Sequence, residues 1–264
     1  MNMTEEITDS KESNKVESNK QDQKNIESIL GVKVSNETYD TLSKKCLTHI
    51  EKKEQAFIVA INPEKIMLAS NDKELQQLLN QADYQIPDGI GVILASKLQK
   101  GTINERITGV DLMERLIKDA ASHKKKVFFY GGKPGVAESA KNALEEKYAG
   151  LSVVGVLDGY QKDEQKVIDT INQQAPDYLF VALGSPKQEQ WIVKHKQHLN
   201  VSILQGVGGS FDVFSGNVKR APAFFRKTGT EWLYRLLKEP KRIKRQLTLP
   251  RFLVKVMKNL KRSN

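Results

Sequence analysis

Residues 127–148 read VFFYGGKPGVAESAKNALEEKY. The first four are bulky and apolar, the length and composition of a strand buried on both faces. Two glycines and then Lys-Pro-Gly break the extended pattern and admit a sharp turn. From residue 134 onward the apolar positions recur at helical spacing, so the stretch predicts strand, glycine turn, helix. Glycines in such a turn let backbone N–H groups approach a phosphate at the helix start. The full G-x-G-x-x-G spacing is missing, and no acidic residue with a ribose role follows, so a plain tight turn and a phosphate cradle both fit.

The same pattern extends in both directions. AFIVAI at 56–61, VVGVL at 153–157, YLFVAL at 178–183 and SILQGV at 202–207 are short apolar runs, most of them ending near Gly or Asp-Gly. Residues 28–34 read as a strand or hairpin, and 84–86 enter the turn Pro87-Asp88-Gly89. Between the runs, helical periodicity marks 39–50, 89–98, 109–121, 163–174 and 186–198. Strands alternating with helices predict an α/β fold, a Rossmann-like and mainly parallel sheet with helices on both faces. Ligands of such sheets bind beyond the carboxyl ends of the strands. The polar and Gly-rich clusters (Asn62, Asp88, Gly131-Gly132, Asp158-Gly159, 184–188 and 208–212) fall mostly at those ends, where one cleft would gather them.

Charge divides the chain. The net charge is +10, but residues 219–264 alone carry fifteen Lys/Arg against Glu231 and Glu239, a balance of +13. The remaining 218 residues sum to −3, which argues for a docking surface and against a globally basic nucleic-acid binder. Residues 1–24 hold few apolar groups and predict a disordered polar tail. The expected organisation is therefore a tail at 1–24, an α/β catalytic domain at 25–218 and a basic helical C-terminal appendage at 219–264. Cys46 is the only cysteine, so no internal disulfide is possible, and a reducing cytoplasm is the expected home. No apolar run reaches the roughly 18–20 residues that span a bilayer, and the first residues lack a signal-peptide core.

Several polar residues carry candidate chemistry. Asp88, between strand and helix, suits either a helix cap or a general base. Asn62, before Pro63, is a common turn residue that also lies at the mouth of the sheet. Arg106 fits a solvated surface or a clamp on oxyanions. Gln188 opens a helix after Gly184, where a helix start explains Pro186 at its first position and Glu189 in its first turn better than it explains the glutamine. His49, His123, His195 and His198 lack metal-ligand spacing, and there is no P-loop, G-x-S-x-G, Cys/His cluster or D-x-D pair. No metal and no cofactor is expected; were the substrate a nucleotide-sugar diphosphate, cationic side chains or backbone dipoles would have to take over the metal's charge role.

Trp232, Leu233, Leu236 and Leu237 share one helical face near the C-terminus, and Phe252, Leu253, Val256, Met257 and Leu260 share another. Arg251, Lys255, Lys258, Lys261 and Arg262 flank or oppose the second. This basic amphipathic pattern suits an anionic membrane surface, or else a helix packed on its own domain. A basic tail without interleaved exposed aromatics is a poor stacking platform, so no nucleic-acid partner is expected. A homo-oligomer is left open.

Taken in order, AINPEKI, IPDGIGV, ERITGVDL, YGGKPGV, VVGVLDGY, VALGSPKQE, GVGGSFDVFSG, KRAP and EWLYRLLKEPKR resemble the WecG/TagA/CpsF glycosyltransferase family, over about residues 31–245. The TagA branch is the one most resembled. That resemblance implies an inverting, metal-independent transfer of N-acetylmannosamine from a UDP-sugar donor to an undecaprenyl-diphosphate-linked N-acetylglucosamine acceptor, in wall teichoic acid linkage-unit synthesis. It implies an enzyme peripheral on the inner face of the plasma membrane. Asp88 would be the base, Asn62 and Gln188 would position sugar groups, and Arg106 would contact substrate or diphosphate. Asp212 would touch the nucleotide, and Arg235, Arg242 and Arg245 would supply charge to departing UDP. The family usually shows Thr two residues before the Asn, where this chain has Ala60. A relative using UDP-N-acetylmannosaminuronic acid or UDP-glucose would show the same motifs, and an NAD-dependent Rossmann oxidoreductase is the alternative from another class.

Overall fold

A computed structural model describes residues 25–222, 224–225, 234 and 248–263; the predicted N-terminal tail and most of 223–247 lie outside the described residues. In chain order the elements begin with β1 (Ile26–Ile29) and β2 (Val32–Ser35), an antiparallel hairpin. Then come α1 (Tyr39–Lys52), β3 (Ala56–Ile61), α2 (Pro63–Ala69), α3 (Lys73–Asn80), β4 (Tyr84–Pro87) and α4 (Ile90–Leu98). The second half runs α5 (Gly109–Ser122), β5 (Lys126–Gly131), α6 (Val136–Lys147), β6 (Ser152–Leu157), α7 (Glu164–Gln174) and β7 (Tyr178–Ala182). It continues with α8 (Lys187–His195), β8 (Ile203–Gly206), the short α9 (Ser210–Phe214) and α10 (Thr248–Ser263). Pro186 takes the cap position of α8 rather than its first helical position.

Strands β3 to β8 form one six-stranded sheet in the order β4-β3-β8-β7-β5-β6, every pair parallel. The predicted Rossmann-like α/β architecture is present. Its cause is visible in the strands, whose successive side chains point to opposite faces and are apolar on both. Phe57, Val59, Phe128, Leu179, Val181 and Leu204 join one core layer with α2, α4, α7 and α8. Ala56, Ile58, Val127, Phe129, Phe180 and Ile203 join the other with α1, α5 and α6. Each fully buried Phe or Leu contributes about 1.5–3 kcal/mol from removal of apolar surface. Cys46 is fully buried in the second layer, and burial pushes its thiol up to about 12.

Helix α10 packs on α2 and α4. Phe252 and Val256 are fully buried in the first layer, while Leu253 and Leu260 pack partly against it. Lys255 Nζ donates to Ser70 Oγ at 2.7 Å and Asn71 Oδ1 at 3.0 Å, pinning the helix to the end of α2. Phe252 and Val256 of this stripe thus pack on the protein's own domain, while Met257 is 42% exposed. Helices α2 and α4, 7 and 9 residues long, are the elements on which α10 lies. Among the described residues no helix is long and apolar enough to cross a membrane.

Candidate active site

The carboxyl edge of the sheet has a reversal built into its connections. From β5 the chain steps outward to β6, then returns through β7 and β8 toward β3. Loops after β5 and β7 thus part from each other, and a crevice opens there. It holds a cleft of about 830 Å³, the size of a small-molecule site, lined by Gly132 and Lys133, Gly159 and Tyr160, Gly184 and Lys187, and Gly208, Gly209 and Asp212. Gly131 makes the floor possible. Its φ is +119°, and a Cβ there would overlap the Ala182 backbone, so only glycine lets β5 and β7 converge this closely. Lys133 and Lys187 are exposed on the rim, and neither joins an ion pair among the described residues. Lys194 is instead paired with Glu164 at 2.5 Å, and its hydrogen bond holds that carboxyl below the usual range.

A second polar group sits at the other side of this edge. Ile61 and Pro87 are register partners, so Asn62 and Asp88 leave adjacent parallel strands together. Asp88 N donates to Ile61 O at 2.8 Å, and Ile107 N donates to Pro87 O at 3.0 Å, which brings the Arg106 segment alongside. Helix α4 is capped by Gly89, at φ +105°, with no side-chain cap bond, so Asp88 is not the cap residue that its position suggested. Asn62 is: its Oδ1 accepts from Lys65 N at 2.9 Å. Behind Asp88, Tyr39 Oη accepts from Thr108 N at 2.8 Å. Burial pushes the Tyr39 phenol up to about 12 against the Thr108 hydrogen bond, with the charges of Asp111 and Asp88 pushing the same way.

Between the two groups lies Gln188, only 3% exposed. Its Nε2 donates to Glu189 Oε1 at 3.0 Å, and its Oε1 accepts from Gly208 N at 3.0 Å. Glu189, fully buried, also receives Lys65 Nζ at 2.7 Å, and that Nζ donates to Ala60 O at 2.8 Å. The structure therefore brings Asp88, Asn62 and Arg106 together, sets Gln188 inside the wall, and leaves Asp212 as the one expected site residue, among the described residues, lining the cleft itself. Arg220 is paired with Asp111 and, at 3.3 Å, with Glu114. Arg235, Arg242 and Arg245 lie outside the described residues. Among the described residues no group of three His, Cys, Asp or Glu is placed to hold a metal.

Sequence reasoning missed Lys65, Glu189, Tyr39, Lys133 and Lys187. Glu189 reads as an ordinary first-turn acid and Lys65 as a surface lysine. Only Lys65's place three residues after Asn62 hinted that it turns back toward the strand end.

Residues 27–264 match the Glycosyl transferase WecG/TagA/CpsF family. A relative from Bacillus spizizenii, named N-acetylglucosaminyldiphosphoundecaprenol N-acetyl-beta-D-mannosaminyltransferase, is 42% identical over 212 residues, covering 80% of this chain and 82% of its own length. Relatives of the same name from Bacillus subtilis and Staphylococcus aureus are each 38% identical, over 213 and 232 residues. The first covers 81% of this chain and 83% of its own length, the second 87% and 91%. With its parallel sheet, its edge cleft and its grouped Asp, Asn and Arg, the chain belongs to the WecG/TagA/CpsF family of glycosyltransferases.

Proposed function

We propose that this glycosyltransferase moves N-acetylmannosamine from UDP-N-acetylmannosamine to undecaprenyl-diphosphate-linked N-acetylglucosamine; the names of its relatives support the transferred sugar and the acceptor, and the UDP donor is part of the proposal. The reaction inverts the anomeric carbon and uses no metal. The observation that carries this reading is the corner at β3 and β4, where Asp88, one residue before the Gly89 cap of α4, stands with Asn62 and Arg106 at the mouth of the sheet. Asp88 takes the proton of the acceptor hydroxyl as that oxygen attacks C1. Asn62, with Oδ1 committed to its helix, offers Nδ2 to the sugar, and Gln188 shapes the adjoining wall from beneath. The nucleotide lies in the cleft with Asp212, where Lys133 and Lys187 face its phosphates. Charge arriving on departing UDP is met by Arg106 and by Arg235, Arg242 and Arg245.

The acceptor is anchored in lipid, so the enzyme docks on the anionic cytoplasmic leaflet. The basic segment 219–264 serves as the docking part even though α10 joins the core. Its outward face carries Val254 and Met257, 45% and 42% exposed, among exposed Arg251, Lys258 and Lys261. The test is incubation with a short-chain lipid diphosphate bearing N-acetylglucosamine and a panel of UDP-sugars, with product identified by mass. Addition of one N-acetylhexosamine from UDP-N-acetylmannosamine alone is expected, undiminished by excess chelator. Transfer from UDP-glucose or UDP-N-acetylmannosaminuronic acid instead would reassign the donor, and loss on chelation would overturn metal independence.

A further inference from the structure

Glu189 and Lys65 form a buried ion pair that the transfer chemistry does not use directly. Its placement is expensive. Glu189 is fully buried, Lys65 is 9% exposed, and Glu189 Oε2 has no hydrogen-bond partner among the described residues. Buried pairs of this kind are often matched in stability by apolar residues of similar volume, so stability alone explains this one poorly. What the pair does hold is orientation. A side-chain amide can be turned by 180° with little change in shape, but a carboxylate only accepts. Glu189 Oε1 takes the Gln188 Nε2 hydrogen, which leaves Gln188 Oε1 facing Gly208 N. Gly208 lines the cleft at φ +54°, two positions after β8. On the far side, Lys65 Nζ ties the same carboxylate to Ala60 O, and Lys65 N is the donor that Asn62 caps.

We propose that Glu189, paired with Lys65, is a positioning residue that fixes the Gln188 amide and through it the Gly208 wall of the donor cleft. It never touches substrate. It joins the two polar groups of the sheet edge, the Asn62 corner and the Gly208 turn, in one hydrogen-bonded frame.

Two double variants separate orientation from charge and packing. Lys65→Met with Glu189→Gln removes both charges but keeps an acceptor oxygen for Gln188 Nε2. Lys65→Met with Glu189→Leu removes the acceptor as well. Both are expected to melt near the wild type, since each replaces a buried ion pair without orphaning a charge. Amide hydrogen exchange at Gly208, followed by NMR without substrate, is expected to match wild type in the first variant and to accelerate at least tenfold in the second. The kinetic arm rests on the transferase reading: kcat is expected within about threefold of wild type in the Gln variant and down at least tenfold in the Leu variant, with acceptor KM little changed. Equal loss in both variants, or unchanged Gly208 exchange in a folded Leu variant, overturns the proposal. Should the Leu variant fail to fold, Gln188→Leu, which leaves the pair intact, must accelerate Gly208 exchange in its place, and wild-type exchange there overturns it too. A wild type inactive with every UDP-sugar defeats the transferase reading alone, because the exchange arm needs no substrate.

Discussion

After β4 the chain turns through Asp88 beside Asn62 and Arg106 into α4; after β7 it turns through residues 183–186 into α8, whose first turn carries Gln188 and Glu189. Both turns leave the same edge of one sheet, and both precede a helix of 9 residues. They use their polar side chains in opposite directions. Asp88 is half-buried at the mouth and does not cap its helix, whereas Gln188 and Glu189 are 3% and 0% exposed and bond inward. The family motifs thus mix a half-buried carboxylate at the sheet's mouth with side chains bonded into the wall, and sequence position alone does not sort them.

The largest effect expected from this contrast is on the inward turn. Glu189→Ala leaves Lys65 buried without its partner, a change that costs about 3–5 kcal/mol. Denaturant unfolding measures it, and a loss below about 1 kcal/mol would mean that water reaches Lys65, removing the buried frame. At the outward turn the balance reverses. Asp88→Asn is expected to lower kcat by roughly a hundredfold or more, while its loss of unfolding free energy stays below that of Glu189→Ala. Near-normal turnover would remove Asp88 from the base role. A destabilised but active variant would mean that the two turns are alike after all.

Behind Asp88 the same comparison becomes finer. Tyr39→Phe deletes the oxygen that Thr108 N–H bonds at 2.8 Å and leaves that donor without its acceptor. The expected cost is about 1–3 kcal/mol of stability. Because Thr108 caps the helix following Arg106, turnover is expected to fall by less than in Asp88→Asn. A Tyr39→Phe protein with wild-type stability would show that water replaces the phenol.

The sheet was legible because its strands are apolar on both faces: AFIVAI and YLFVAL leave no amphipathic alternative, and glycine or Asp-Gly turns mark where most of the strands stop. The site was legible only where a residue breaks a local rule. Gln188 has no reason to open a helix, and it proved to be bonded across to Gly208. Glu189 breaks no rule, since a first-turn acid complements the helix dipole, so its pairing with Lys65 across 124 residues of sequence was invisible. The last helix was misleading for the same reason. Its apolar stripe fits a membrane and a protein core equally well by periodicity, and only its contacts with α2 and α4 show that Phe252 and Val256 join the core.

That last helix also gives the smallest and most selective test of inward against outward use. Phe252 and Val256 face the core, while Lys258 and Lys261 are exposed on the far side with Val254 and Met257 nearby. Basic residues near an anionic surface contribute about 1 kcal/mol each. Lys258→Glu and Lys261→Glu are therefore each expected to weaken cosedimentation with vesicles rich in anionic lipid by roughly fivefold or more. Unfolding should stay unaltered, because neither ammonium makes an ion pair among the described residues. The loss should shrink as salt is raised, since screening acts on exposed charges within about 10 Å at 0.1 M. If both variants bind vesicles like the wild type, the outward face of α10 is not the docking surface, and the basic residues of 223–247 must supply the membrane contact instead.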